Sequence, residues 1–172
     1  PMTTETVFRS DARPDFEPFE ESCGSIKGFT YAGDLASDVA AGTRDKAGAL
    51  GLLDDMLAIR EMEEMIVRLR SGGGYEPLPG YDYRGPTHVS IGQEASAVGA
   101  SSVLRITDNV TSSHRGHGDA IAKGFSALRQ MTDEQLGERT AVAGDATRDA
   151  LLDAALEEHP YKVIAALFGK DA

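Results

Sequence analysis

The chain has 172 residues, of which 41% are hydrophobic, enough to bury the core of one modest domain. Its 28 acidic and 17 basic residues give a formal net charge of -11, which argues against a nucleic-acid-binding protein, because such a protein concentrates positive charge. Cys23 is the single cysteine, so no internal disulfide can form, and we expect a reducing compartment, by default the cytoplasm. The sequence also predicts neither a membrane span nor a secretory signal.

Residues 1–48 mix prolines and glycines with scattered charges and show no sustained helix or strand period. We interpret them as an irregular N-terminal arm, which either drapes over another subunit or is partly disordered.

From Leu52 onward, apolar residues recur at steps of three or four positions, while charged residues such as Asp55 fill the other positions. The apolar set is Leu52, Met56, Ile59, Met62, Ile66 and Leu69. This period predicts an amphipathic helix that ends at Ser71, directly before three consecutive glycines. A loop rich in proline, glycine and tyrosine follows.

Residues 92–104 predict a second helix with a face of small side chains, which suits close packing against another helix, a sheet or a second subunit. Residues 110–113 are short and rich in β-branched side chains, as in a buried parallel strand. A short helix over 119–123 is then expected to end at Gly124.

The C-terminal part is rich in alanine and charge. Helical patterns cover residues 128–136 and 146–157, and Pro160 is expected to begin one more helix over 161–168, because its missing N–H costs nothing in a first turn.

The segment His114-Arg115-Gly116-His117-Gly118 directly follows the predicted strand. Glycines allow close backbone approach, a helix N-terminus is positive, and a guanidinium matches phosphate oxygens, so the segment is a candidate anion site. By itself it fits a structural turn with a surface arginine at least as well. A zinc site at these histidines and His88 is disfavoured, because no cysteine lies nearby and the spacing is not His-Glu-x-x-His. No Gly-x-Ser-x-Gly elbow indicates a serine hydrolase, and we assign no metal ligand.

Several stretches taken together resemble a known family: residues 56–64, Gly92-Gln93-Glu94-Ala95 with Val98-Gly99, Asp108, Arg115-Gly116-His117-Gly118 and Gly124. The chain resembles the alpha subunit of the thiamine-diphosphate-dependent first component of the pyruvate, acetoin and branched-chain 2-oxo acid dehydrogenases, over residues 52–125 and 160–172. The resemblance implies an α/β fold, the N-terminal part of a parallel-sheet thiamine-diphosphate-binding domain that is mostly helical within this chain. Residues 49–172 would form a partial pyrophosphate-binding domain with a helical insertion at 126–159.

The same resemblance implies roles for three residues. Arg115 matches an arginine that contacts the diphosphate, and His114 stands where many members have a tyrosine with the same task. His88, five residues before Gln93, matches a histidine that faces the reacting carbon. We take His88 and His117 as the catalytic candidates, and Arg115 and His114 as the cofactor-binding ones.

The departures from the family are also informative. Family members bind Mg2+ through Gly-Asp-Gly and a later Asn-Asn, and neither motif occurs here. The sequence therefore resembles a family member that is cut before its metal ligands, and alone we expect it to be inactive. The expected partners are the remainder of the alpha subunit, a beta subunit or fused beta half carrying the activating glutamate, a lipoyl-bearing acyltransferase and a 2-oxo acid substrate. A noncatalytic assembly or regulatory module and a transketolase-like carboligase are the alternatives.

Overall fold

The computed structural model describes residues 24–25, 28, 30–71, 75–77, 79–81, 88–142 and 146–169. The chain divides into two units, Pro1–Asp34, of which few residues are described, and Leu35–Ala172. The second unit contains the six helices of the described residues. They are α1 (Leu35–Ala40), α2 (Lys46–Arg70), α3 (Glu94–Ser101), α4 (His117–Arg129), α5 (Asp133–Arg139) and α6 (Arg148–Leu167).

Helix α2 is the longest of these and runs for 25 residues. It begins earlier than the apolar period suggested, because the Asp45 side chain accepts a hydrogen bond of 2.6 Å from the Gly48 amide and caps the first turn. Its end at Arg70 agrees with the prediction. Ile59, Met62 and Ile66 are buried along one face, so the predicted amphipathic helix is confirmed.

The main core lies where α2, α3, α4 and α6 meet. Its buried members are Ile59, Met62, Ile66, Leu69, Ala97, Val98, Ile121, Ala122 and Phe125, with side chains of α6 packed against them. The small residues let the helices approach closely, and a Cβ built on Gly118 of α4 would already lie 3.2 Å from Cγ2 of Ile59. The prediction that the small-residue helix is buried is confirmed for Ala97 and Val98, whereas Gly99 on its other side is exposed.

A second, smaller core joins the end of α4 to α5 and α6 and consists of Leu128, Leu136, Leu151 and Ala155. Helix α5 opens with a capping box, in which Thr132 and Gln135 bond reciprocally to each other's main chain. The helical pattern predicted for 128–136 is therefore split, because α4 ends at Arg129 and the cap starts a new helix.

The prediction that Gly124 stops a helix is wrong, since α4 continues through it to Arg129. A Cβ built on Gly124 would overlap the imidazole of His159, which packs edge-on against Phe125. Glycine in a helix interior costs about 1 kcal/mol relative to alanine, so its presence here fits a close contact between α4 and α6 rather than a helix end.

The prediction that Pro160 begins a helix is also wrong. Pro160 lies inside α6, which runs unbroken from Arg148 to Leu167. An interior proline costs about 3 kcal/mol or more. The helix continues because both sides of the proline are packed, Leu151 and Ala155 in the smaller core and Val163 and Ile164 against the larger one.

No strand forms in the described residues, and the exposed segment 110–113, predicted as a buried strand, has no regular structure. A parallel strand needs a neighbouring strand to accept and donate its main-chain hydrogen bonds. The described residues offer none, and within the segment Ser112 and Ser113 form hydrogen bonds with the turn and helix that follow. The mostly helical character that was predicted for this chain is confirmed.

Asp55 was expected on the polar face of α2 but is buried. Its carboxylate accepts hydrogen bonds of 2.7 Å and 2.6 Å from the two terminal nitrogens of Arg129 in α4. Burial raises the pKa of Asp55, and the hydrogen bonds from Arg129 oppose that rise. This bidentate ion pair ties α2 to α4 beside the core.

Candidate functional site

Two segments that are distant in the sequence meet at the N-terminus of α4. Nη1 of Arg115 donates a hydrogen bond of 3.0 Å to the carbonyl oxygen of Val89. The rings of His88 and His114 stand edge to face, with their centroids 5.0 Å apart. The structure therefore brings together His88, His114 and Arg115, three of the four residues predicted for a site, and all three are exposed.

The segment that carries His88 and Val89 is anchored to α2 through Glu94. Glu94 begins α3, accepts from the Gly92 amide at 3.0 Å and pairs with Nε of Arg60 at 2.7 Å. The hydrogen bond from Arg60 lowers the pKa of Glu94 to about 2, so this carboxylate is ionised at neutral pH. Gly92 has a φ of 95°, a left-handed conformation that glycine adopts without strain.

The tight turn before α4 determines where Arg115 and His114 lie. The Gly116 amide donates to the carbonyl oxygen of Ser113 at 3.0 Å. A Cβ built on Gly116 would lie only 2.6 Å from Cβ and Oγ of Ser112, so only glycine fits. The Ser112 hydroxyl in turn donates to Asp119 in the first turn of α4.

Gly116 is the N-cap of α4, and no side-chain hydrogen bond caps this end of the helix. The first amides of a helix have no partner within it, and together with the helix dipole they favour an anion. An exposed guanidinium adds donors with the geometry of phosphate oxygens. The combination of α4 and Arg115 can therefore bind an anionic group.

His117, the fourth predicted residue, lies on the inner side of the same turn, with 14% of its side chain exposed. Its Nδ1 is buried without a hydrogen-bond partner and lies 3.9 Å from Oε1 of Glu63. Glu63 is fully buried and accepts from the amide and hydroxyl of Ser90 at 2.5 Å and 2.6 Å. A buried polar cluster of Glu63, Ser90 and His117 thus underlies the exposed residues.

Sequence reasoning missed Glu63 and Ser90. Glu63 lies four residues after Ile59 and three before Ile66, so a helix period places it on the apolar face among buried side chains. An acidic residue at a core-facing position is a signal of a buried hydrogen-bonded carboxylate. That spacing could have identified Glu63, whereas nothing in the sequence pointed to Ser90.

Within the described part of the chain, no group of three or more histidine, cysteine, aspartate or glutamate residues could hold a metal ion. Nor does any helix there have the length and apolarity to cross a membrane.

Comparison with known proteins gives a consistent match. Residues 81–161 match the family model of the dehydrogenase E1 component. The alpha subunit of acetoin:2,6-dichlorophenolindophenol oxidoreductase from Bacillus subtilis is 39% identical over 94 residues, 55% of this chain and 26% of that protein. Its Cupriavidus necator counterpart is 36% identical over 98 residues, 57% of this chain and 27% of that protein.

The mitochondrial pyruvate dehydrogenase E1 component subunit alpha of Chaetomium thermophilum is 38% identical over 89 residues, 52% of this chain and 20% of that protein. The matched part of the chain thus spans about a quarter of the length of these relatives, between 20% and 27%. No solved structure matches the chain.

Proposed function

Because residues 81–161 match the family model of the dehydrogenase E1 component, we propose that this chain is the N-terminal portion of a thiamine-diphosphate-dependent 2-oxo acid dehydrogenase alpha subunit. In this role it contributes diphosphate and substrate contacts to the oxidative decarboxylation of a 2-oxo acid. The helices described above would form one side of a larger domain that contains a parallel sheet.

The proposal rests on the contact of Arg115 with Val89 beside the uncapped N-terminus of α4. A diphosphate fits this arrangement, because the Arg115 guanidinium supplies a fixed positive charge and the first amides of α4 supply neutral donors. The exposed ring of His114 lies next to both and can donate a further hydrogen bond.

His88 is the residue of this chain that we assign to the substrate. It lies beside His114 and is exposed at the end of the segment before α3, where an imidazole can contact a bound molecule. Its role would be to orient the substrate carboxylate, or to stabilise charge that develops near the reacting carbon. His117 is the second catalytic candidate, but it lies deeper in the fold, next to Glu63.

Thiamine diphosphate, when bound, would supply the carbon nucleophile that makes decarboxylation of a 2-oxo acid possible. The accompanying Mg2+ would take its ligands from residues outside this chain. A beta subunit or fused beta half would complete the cofactor site, and a lipoyl-bearing acyltransferase would accept the acyl group.

The test is reconstitution of this chain with the remaining alpha segment and a beta subunit from the same genome. The complex, with thiamine diphosphate and Mg2+, is expected to reduce an artificial electron acceptor when pyruvate or another 2-oxo acid is added. Omission of this chain should abolish the activity. A complex that forms fully but shows no cofactor-dependent turnover with any 2-oxo acid would contradict the proposal.

The 172-residue chain alone is expected neither to decarboxylate 2-oxo acids nor to bind thiamine diphosphate tightly, because its sequence contains neither Gly-Asp-Gly nor Asn-Asn and a beta half would supply the activating glutamate. Calorimetric titration with the cofactor and Mg2+ checks this. Binding with a dissociation constant in the micromolar range, about -8 kcal/mol, would mean that the chain carries a complete cofactor site.

A further inference from the structure

Glu63 is a carboxylate in the centre of the core and has no solvent exposure. An isolated ionised carboxylate in such a place is costly, so its oxygens need donors. Ser90 supplies two of them, one from its amide to Oε2 at 2.5 Å and one from its hydroxyl to Oε1 at 2.6 Å. Glu63 thereby ties α2 to the segment next to His88.

The other polar neighbour of Glu63 is His117, whose buried ring nitrogen has no hydrogen-bond partner. Nδ1 of His117 is buried, lies 3.9 Å from Oε1 and makes no hydrogen bond. At that distance the contact is electrostatic, because a hydrogen bond requires about 3.2 Å or less. A neutral imidazole has a proton on one nitrogen and a lone pair on the other, so Nδ1 presents to Glu63 either an N–H or a lone pair.

The two tautomers differ in energy at this position. A lone pair on Nδ1 would face a negative carboxylate in a site that excludes water, and the interaction would be repulsive. An N–H on Nδ1 points a positive dipole at the same carboxylate and is attractive. The buried geometry therefore favours the proton on Nδ1.

We propose that Glu63 is a positioning residue, which fixes the Val89–Ser90 segment through Ser90 and holds His117 as the Nδ1–H tautomer. Nε2 then becomes the basic nitrogen of the ring. One buried carboxylate would thus organise both segments that meet at the site, since His117 opens α4 and Ser90 follows His88 and Val89. The positioning role rests on the proposed function, whereas the tautomer is a property of the folded chain alone.

The primary test is 15N NMR of the histidine rings in the 172-residue chain, at a pH where the imidazoles are neutral. The chain has four histidines, and the His117 ring is assigned by replacing the other three in turn. We expect the wild-type Nδ1 resonance in the range of a protonated ring nitrogen and the Nε2 resonance in the range of an unprotonated one. The opposite pattern would overturn the proposal, whatever any variant does.

The Glu63→Gln variant gives a sharper result. The Ser90 amide needs an acceptor, so the side-chain oxygen of the introduced glutamine is expected at the position of Oε2, with its NH2 group at that of Oε1. That NH2 group faces Nδ1 of His117 and can only donate. We therefore expect the tautomer to invert, with the proton moving to Nε2.

Glu64→Gln is the matched control. It makes the same chemical change one position along α2, at a carboxylate that pairs with Arg68 at the surface, and the His117 tautomer should not change. In the Ser90→Ala variant, Glu63 keeps its charge but its Oε1 loses the hydrogen bond from the Ser90 hydroxyl. His117 should therefore keep its proton on Nδ1. A folded Glu63→Gln chain that keeps the wild-type tautomer would show that Glu63 does not control the ring.

The result separates this inference from the proposed function. Loss of cofactor-dependent turnover in the reconstituted complex leaves the tautomer measurement unaffected, and a wrong tautomer leaves the diphosphate assignment of Arg115 unaffected. If the Glu63→Gln variant does not fold, the wild-type spectrum still tests the proposal, because the proposal requires the Nδ1–H tautomer of His117 in the wild-type chain.

Discussion

Arg115 holds the main chain of Val89 through a hydrogen bond of 3.0 Å that spans 26 positions of sequence. The contact places the residue assigned to the diphosphate beside the segment that carries His88, the residue assigned to the substrate. The two assignments imply different kinetic effects, because a cofactor contact acts on affinity and a group facing the reacting carbon acts on rate.

Replacement of Arg115 by alanine in the reconstituted complex is expected to weaken thiamine diphosphate binding by about 1.5 to 3 kcal/mol, the range for a lost charge-assisted hydrogen bond. The apparent cofactor affinity, measured from activity against cofactor concentration, should fall roughly ten- to a hundredfold. Arg105→Ala is the control, since Arg105 is also exposed but pairs with Asp108. Equal affinities for Arg115→Ala and the wild type would remove Arg115 from the site.

Replacement of His88 by alanine should lower turnover by roughly 100-fold or more, the scale of a lost acid-base or electrostatic group, with little change in cofactor affinity. Steady-state kinetics over a range of cofactor and 2-oxo acid concentrations measures both quantities. His88 is exposed, so thermal stability should change little. Wild-type turnover, or a loss of activity that only follows a loss of stability, would make His88 a structural residue.

Gly124→Ala is expected to destabilise the fold, although alanine is the better helix former. The new methyl group would overlap the His159 ring, and such overpacking costs about 1 to 3 kcal/mol against a helix-propensity gain of up to about 1 kcal/mol. Thermal or urea denaturation measures the difference. Gly137→Ala in α5 is the matched control, because its Cβ would meet open space and should be neutral or mildly stabilising. Equal stability for the two variants would mean that α4 and α6 are not in close contact there.

The stability of the chain should depend on pH through His159. Burial lowers the pKa of His159 from its ordinary value of 6.5, and the hydrogen bond to the carbonyl oxygen of Ala120 only partly opposes this. In the unfolded chain the ring takes up its proton first as pH falls through about 6.5, so the unfolded state gains stability. The buried, neutral His159 therefore makes its full contribution to the free energy of unfolding above about pH 6.5. That contribution is lost as the pH falls toward the lower pKa of His159 in the folded chain.

Urea unfolding between about pH 5 and 8, around the ordinary histidine pKa, checks the sign. His159→Gln keeps a side-chain donor but cannot be protonated, so its free energy of unfolding should fall less than that of the wild type on acidification. The difference between the two proteins removes the contributions of all other titrating groups. If the two curves were parallel, the burial of His159 would have no consequence for protonation.

Local periodicity was sufficient to predict the helices that bury a single apolar face. The period from Leu52 to Leu69 predicted α2, and the small residues around Ala97 predicted a buried α3, because a helix repeats on one side with a fixed spacing. Motif spacing also predicted a resemblance to the dehydrogenase E1 component, and residues 81–161 match the model of that family. The roles of His88, His114, Arg115 and His117 stay predictions.

Other features were decided only by contacts between segments distant in sequence. Gly124 and Pro160 are helix breakers locally, yet both lie inside helices, because the packing of α4 against α6 offsets the cost of each. Residues 110–113 have strand propensity, but a strand cannot form without a partner to complete its hydrogen bonds.

The amino-acid sequence by itself thus determined the apolar faces of the helices and the order of the motifs, which are properties of neighbouring positions. Only the tertiary structure decided that Asp55 is buried against Arg129, 74 residues away, and that Glu63 lies between Ser90 and His117. The physical reason is that a carboxylate is stable in a core only when hydrogen-bond donors lie next to it. In both cases those donors come from distant parts of the chain.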